Sequence, residues 1–101
     1  MQSYNKLVRD KIPEILDKKG VSYEKRIASP EEYKTELLKK LGEEVQEFSV
    51  AGDPEELADV VEVLEALKQL SEYSQVEAIR IKKKDERGGF FERIILKGKK
   101  D

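Results

Sequence analysis

The sequence predicts a mainly α fold, and three observations carry that expectation. Three segments open with a capping residue followed three positions later by Glu: Ser29-Pro30-Glu31-Glu32, Asp53-Pro54-Glu55-Glu56 and Ser74-Gln75-Val76-Glu77. The apolar residues after each start recur at helical spacing rather than in alternation. Glycines close the periodic runs at Gly20, Gly52 and Gly88-Gly89.

In chain order, a short helix is expected from Lys11 to Lys19, with Pro13 in its first turn and Gly20 as its stop. Residues 21–27, Val-Ser-Tyr-Glu-Lys-Arg-Ile, alternate and read as a short strand. A long helix follows over about 30–50, started by Ser29 with Pro30 at its first position and closed by Ala51-Gly52. A second spans about 54–71, and the short connection between them predicts a helical hairpin. A third long helix covers about 75–87. Residues 90–96, Phe-Phe-Glu-Arg-Ile-Ile-Leu, are aromatic and β-branched and read as a second short strand. At 101 residues, one compact domain (1–101) is the default.

Composition removes several kinds of chemistry. The chain has no Cys, which excludes a disulfide framework, a thiolate nucleophile and a zinc finger. It has no His, which excludes the commonest general base and any Ser-His or Cys-His arrangement. A metal held here takes oxygen ligands, so it is a hard cation. The net charge of −2 gives no reason to expect nucleic-acid or membrane binding. No apolar run approaches spanning length and the first residues, MQSYNKLVRDK, carry no apolar signal core, so a cytoplasmic location is expected.

The acids then sort by helix phase, at about 100° per residue. On the first long helix Tyr33, Leu37, Leu41, Val45 and Phe48 form an apolar stripe. Glu44 falls inside it, about 20° from Leu37, and Glu47 lies at its edge one turn on, while Glu43 points away. On the second, Glu56 projects between Val63 and Leu67, and Asp59 beside Ala66 and Leu70. Glu55, Glu62 and Glu65 share the polar side with Lys68 and Gln69. Two inward pairs, Glu44/Glu47 and Glu56/Asp59, therefore stand at i, i+3 on consecutive helices. Grouping ionised carboxylates in an apolar setting is costly, and a divalent cation offsets that cost. Inward acids paired with Lys or Arg at a core edge have the same pattern. Helix 54–71 is also apolar over a broad arc (Leu57, Val60, Val61, Val63, Leu64, Leu67, Leu70), more than one hairpin covers, which predicts a homodimer through a four-helix core.

Glu43-Glu44-Val45-Gln46-Glu47 followed by Glu56-Leu57-Ala58-Asp59 resembles the EExxE…ExxD signature of the MazG-like all-α nucleoside triphosphate pyrophosphohydrolases. The N-terminal element Tyr4 to Glu14 (YNKLVRDKIPE) and Arg87-Gly88-Gly89-Phe90 look like those of one MazG-like subgroup, so the resemblance runs along nearly the whole chain. It implies a MazG-like helical bundle assembled as a homodimer or homotetramer, and a metal-dependent reaction, NTP plus water giving NMP plus pyrophosphate. It further implies that Glu44, Glu47, Glu56 and Asp59 ligate Mg²⁺ and that a carboxylate, Glu47 or Glu44, activates the attacking water. Triphosphate also needs cationic donors. Lys6, Arg9 and Lys11 in the N-terminal element and Lys83 and Arg87 on the last helix are the candidates, with the two arginines favoured for their bidentate reach. The expected substrates are noncanonical or excess NTPs or dNTPs. Two other readings stay open: the related phosphoribosyl-ATP pyrophosphohydrolase of histidine biosynthesis, and a non-catalytic helical module that binds ions or a partner.

Overall fold

The computed structural model describes residues 5–99; Tyr4, which opens the N-terminal element, lies outside them, as do Lys100 and Asp101. The fold is mainly α. Among the described residues four helices run in chain order: α1 (Ile12–Lys18), α2 (Pro30–Ala51), α3 (Pro54–Lys68) and α4 (Val76–Arg87), with a 3-10 turn at Ser71–Tyr73. No helix is long and apolar enough to cross a membrane among the described residues. Two compact units divide the chain, one ending at Leu67 and the other beginning at Lys68.

In the first unit, α2 starts where the capping signal placed it. The Ser29 hydroxyl accepts from the Glu32 backbone N–H at 3.2 Å, and Pro30 occupies the first turn. The Glu32 carboxylate is taken by the Arg26 guanidinium through two bonds of 2.5 Å, which ties the preceding segment to the helix start. At the far end Gly52 adopts φ 65, and its N–H caps the Phe48 carbonyl at 2.8 Å. That left-handed turn favours glycine, since a Cβ would crowd the following carbonyl. Only Gly52 and Asp53 separate α2 from α3, so the two helices turn back on each other as a hairpin. Its core is narrow: Leu37 of α2 and Val60, Val63 and Leu67 of α3 are the buried apolar residues among those described.

Three sequence expectations are corrected. Helix 54–71 ends at Lys68, because Leu70 takes an extended backbone (φ −68, ψ 136) before the 3-10 turn. The last helix lacks the expected cap: Ser74 closes the 3-10 turn through its own N–H to the Ser71 carbonyl at 3.2 Å, and α4 starts after Gln75 with no side-chain cap. Neither proposed strand forms among the described residues. A strand needs a partner to satisfy its backbone, and two short segments make a marginal ladder at best. Segment 21–27 is drawn instead toward α1, where Val21 N–H reaches the Leu16 carbonyl at 3.0 Å and the Tyr23 hydroxyl donates to Asp17 at 2.8 Å. Segment 90–96 is broken at Arg93, whose φ of 59 is incompatible with a continuous strand.

In the second unit, Glu77 on the first turn of α4 receives Lys68 at 3.2 Å and Arg80 Nε at 2.7 Å. These contacts link the end of α3 to the start of α4 across the 3-10 turn.

Candidate metal centre

The hairpin turn sets the heights of the acids. Counting from Gly52 at 1.5 Å per residue, Glu47 and Glu56 both stand about 6–8 Å along their helices. Glu44 and Asp59 stand about 10–12 Å along theirs. The i, i+3 pairs thus become two rungs of a ladder across α2 and α3. Asp53 holds the lower rung in place, accepting the Glu56 backbone N–H on its side-chain oxygen at 2.9 Å and so capping α3.

One ligand oxygen each from Glu44, Glu56 and Asp59 lie within 4.8 Å of one another. Glu44 is buried at 7% exposure, the one buried charged residue among those described. Glu56 and Asp59 are half-buried, while Glu43, Glu55, Glu62 and Glu65 are exposed, as their phases predict. Asp59 is more open than the wheel suggests, with 39% of its side chain exposed. Val45, expected on the apolar stripe, is 44% exposed because it lies at the stripe's flank. Glu47 is exposed and lies outside the three-acid group, yet its charge reaches Glu56.

The electrostatics of the group are unbalanced. Burial first, then the charges of Glu47, Asp53, Asp59 and Glu44, push the Glu56 carboxyl above the ordinary glutamate range. Two cations partly offset the charge. Lys40 Nζ lies 3.4 Å from Glu44 Oε1, one turn back on α2, and Arg9 Nη2 donates to Asp59 Oδ1 at 2.7 Å. Phase analysis of acids alone passes over Lys40, although its i, i+4 spacing to Glu44 is a pairing signal. Even so, Glu44 Oε2 and Glu56 Oε2 are buried with no hydrogen-bond partner. A buried oxygen left without a donor costs stability, so it points to a missing electrophile.

The donor set fits a hard divalent cation. Oxygens on opposite sides of Mg²⁺ stand roughly 4.2 Å apart, from bonds of about 2.1 Å. Oxygens within 4.8 Å of one another are close enough for one such ion to take all three. Glu44, Glu56 and Asp59 are the residues that would hold the ion, with Glu47 one turn away on α2.

The candidate phosphate contacts are placed as follows. Arg9 reaches the acids directly through Asp59. Lys6 and Lys11 are exposed on the segment leading into α1, where the Lys11 carbonyl accepts from Ile15 N–H at 3.0 Å. Lys83 and Arg87 belong to the second unit, exposed and one turn apart on α4. That unit also carries an open groove of about 570 Å³ lined by Arg80, Lys84, Gly88, Gly89, Phe90 and Phe91. Arg80 and Lys84 are not among the cations that the sequence singles out. Phe90 is 98% exposed. No family model, curated protein or solved structure matches this chain.

Proposed function

We propose that this protein is a Mg²⁺-dependent pyrophosphohydrolase of the MazG-like kind, acting on noncanonical or excess NTPs or dNTPs in the cytoplasm. The observation that carries the proposal is the pair of buried, unpartnered carboxylate oxygens on Glu44 of α2 and Glu56 of α3, in one group with Asp59. The motif resemblance of Glu43–Glu47 and Glu56–Asp59 supplies the reaction class.

When bound, Mg²⁺ or Mn²⁺ neutralises phosphate oxygens and acidifies water, chemistry that suits a chain without His. Glu44, Glu56 and Asp59 fix its position on two helices. Glu47, exposed beside the group, accepts the proton of the water that attacks the α-phosphorus. The bond from that phosphorus to the bridging oxygen breaks and pyrophosphate leaves. Arg9, with Lys6 and Lys11, neutralises the triphosphate.

A panel of NTPs and dNTPs incubated with the purified chain and Mg²⁺, assayed for pyrophosphate, tests this reading. Release from at least one nucleotide is expected. No release from a folded protein sinks the enzyme and leaves the ion-binding module. Release confined to phosphoribosyl-ATP moves the assignment to the histidine-pathway relative. Glu44→Gln and Asp59→Asn each lose activity by about 100-fold or more, the upper range for disturbing a metal site; full activity in either refutes the ligand assignment.

The same proposal includes a homodimer. Leu57, Val61 and Leu64 of α3 are 44%, 46% and 41% exposed, on one stripe at i, i+4 and i+7. Leu38 and Val45 of α2, 47% and 44% exposed, form a second stripe beside the buried one. A second copy covers these flanks in a four-helix arrangement.

A further inference from the structure

We propose that Arg9 is a displaceable counter-cation: it holds Asp59 until a divalent cation takes that carboxylate, and then turns to the phosphate of the ligand. The inference rests on the reading of Glu44, Glu56 and Asp59 as metal ligands and assigns Arg9 a role within it. Four observations support it.

The guanidinium is bonded to a group that metal needs, Asp59 Oδ1, at 2.7 Å. Asp59 is the open edge of the group, with 39% of its side chain exposed against 9% for Glu44, so a ligand arriving from solvent meets the Arg9–Asp59 pair first. Arg9 is itself 56% exposed and stands on the irregular segment before α1, whereas Asp59 is fixed on α3. The guanidinium can therefore swing without moving either helix. Lys40 makes the contrast: it sits on the same helix as its partner Glu44, with 22% of its side chain exposed, and stays as a built-in neutralising charge. Finally, a guanidinium presents a fork of donors that suits phosphate as well as carboxylate. A cation that occupies Asp59 removes one partner from Arg9 while a metal-bound polyphosphate offers a better one beside it. The arrangement keeps the acids partly neutralised before metal arrives and couples metal uptake to anion capture.

The test uses the full chain and two probes. Mn²⁺ binding without nucleotide is followed by the paramagnetic resonance signal of the free ion. Tripolyphosphate binding is followed by calorimetry in saturating Mg²⁺. Arg9→Gln is expected to bind Mn²⁺ about three- to tenfold more tightly, since a positive charge beside a dication is removed, and tripolyphosphate at least about tenfold more weakly. Arg9→Lys keeps Mn²⁺ affinity near that of the parent chain and restores part of the tripolyphosphate affinity. Damage to the fold weakens both ligands, so opposite signs identify the counter-cation. Equal or weaker Mn²⁺ binding by Arg9→Gln overturns the proposal, as does unchanged tripolyphosphate binding. A parent chain that binds no Mn²⁺, or whose Mn²⁺ affinity is indifferent to Glu44→Gln, refutes the metal site itself, whatever Arg9 does.

Discussion

Glu56 is where burial and like charge act together on one side chain. Its carboxyl is pushed above the ordinary glutamate value by burial and by four neighbouring acids, so the folded chain holds that proton to higher pH than the unfolded chain does. The sign follows from linkage. The stabilising contribution of protonated Glu56 is fully present below the unfolded glutamate value and is lost as pH rises through the raised folded value. Glu32 and Glu77, lowered by hydrogen bonds from Arg26 and from Arg80 with Lys68, act in a separate window below the ordinary value and with opposite sign. Glu56→Gln is therefore expected to raise the melting temperature of the metal-free protein at neutral pH and to abolish the additional stabilisation by Mg²⁺. Metal and proton compete for the same oxygen. The Mg²⁺-induced rise in melting temperature should shrink as pH falls through the raised value of Glu56, read by thermal denaturation with and without Mg²⁺ across a pH series. A rise that is the same at every pH would remove Glu56 from the metal. This residue's inward aim was legible in sequence, since its phase between Val63 and Leu67 needs only helical geometry. Its unpartnered Oε2 was not, because that depends on what the other helix brings.

At the scale of the element, α2 and its turn offer a controlled comparison. Gly42, inside α2, has open space around a Cβ built on it, and its backbone is not left-handed. Gly42→Ala is expected to stabilise the protein by about 0.5–1 kcal/mol, mostly by restricting the unfolded chain. Gly52 has equally open space but φ +65. Gly52→Ala is expected to cost about 1–2 kcal/mol, the penalty of the left-handed conformation for a residue with a Cβ. Chemical denaturation of the two variants reads both signs. Leu37, at 2% exposure the most buried residue described, anchors α2 to its hairpin. Leu37→Ala should cost about 2–5 kcal/mol, and a loss below about 1 kcal/mol would show that the hairpin core does not hold α2. Starts and stops of α2 were readable because they depend on residues within four positions of one another, as in Ser29 with Glu32 and Phe48 with Gly52. The early end of α3 and the uncapped start of α4 were not, because Ser74 has two local uses and the 3-10 turn claims it.

For the whole molecule, the shortage of buried apolar surface is the governing fact. Among the described residues Leu37, Val60, Val63 and Leu67 make a small core, while Leu57, Val61 and Leu64 remain 41–46% exposed. Sedimentation equilibrium should find a dimer or a higher oligomer, and Leu64→Lys should shift it toward monomer with a lower melting temperature that depends on protein concentration. A parent chain that is monomeric at all concentrations contradicts the covered-flank reading. Ile27, Phe90, Phe91, Ile95 and Leu96 are 89–98% exposed as well, in the two stretches that alternation and β-branching offered as strands. Side-chain period states which face a strand would have; it does not supply the neighbour that a strand requires.

The sequence by itself determined the mainly α class, the hairpin and the outward set of acids, Glu43, Glu55, Glu62 and Glu65. All three rest on local rules: capping, the positive φ of Gly52 and an angular step of about 100° per residue. The lack of His and Cys likewise restricts the site to oxygen donors. Only the tertiary structure decided which acids converge. Glu44 meets Glu56 and Asp59 because a two-residue turn sets α2 and α3 at matched heights, and Glu47 is left at the rim. It alone showed that Lys40 and Arg9 answer part of the charge while two oxygens stay unanswered. The reason is physical: phase is a property of one helix, whereas convergence and hydrogen-bond satisfaction are properties of the space between two.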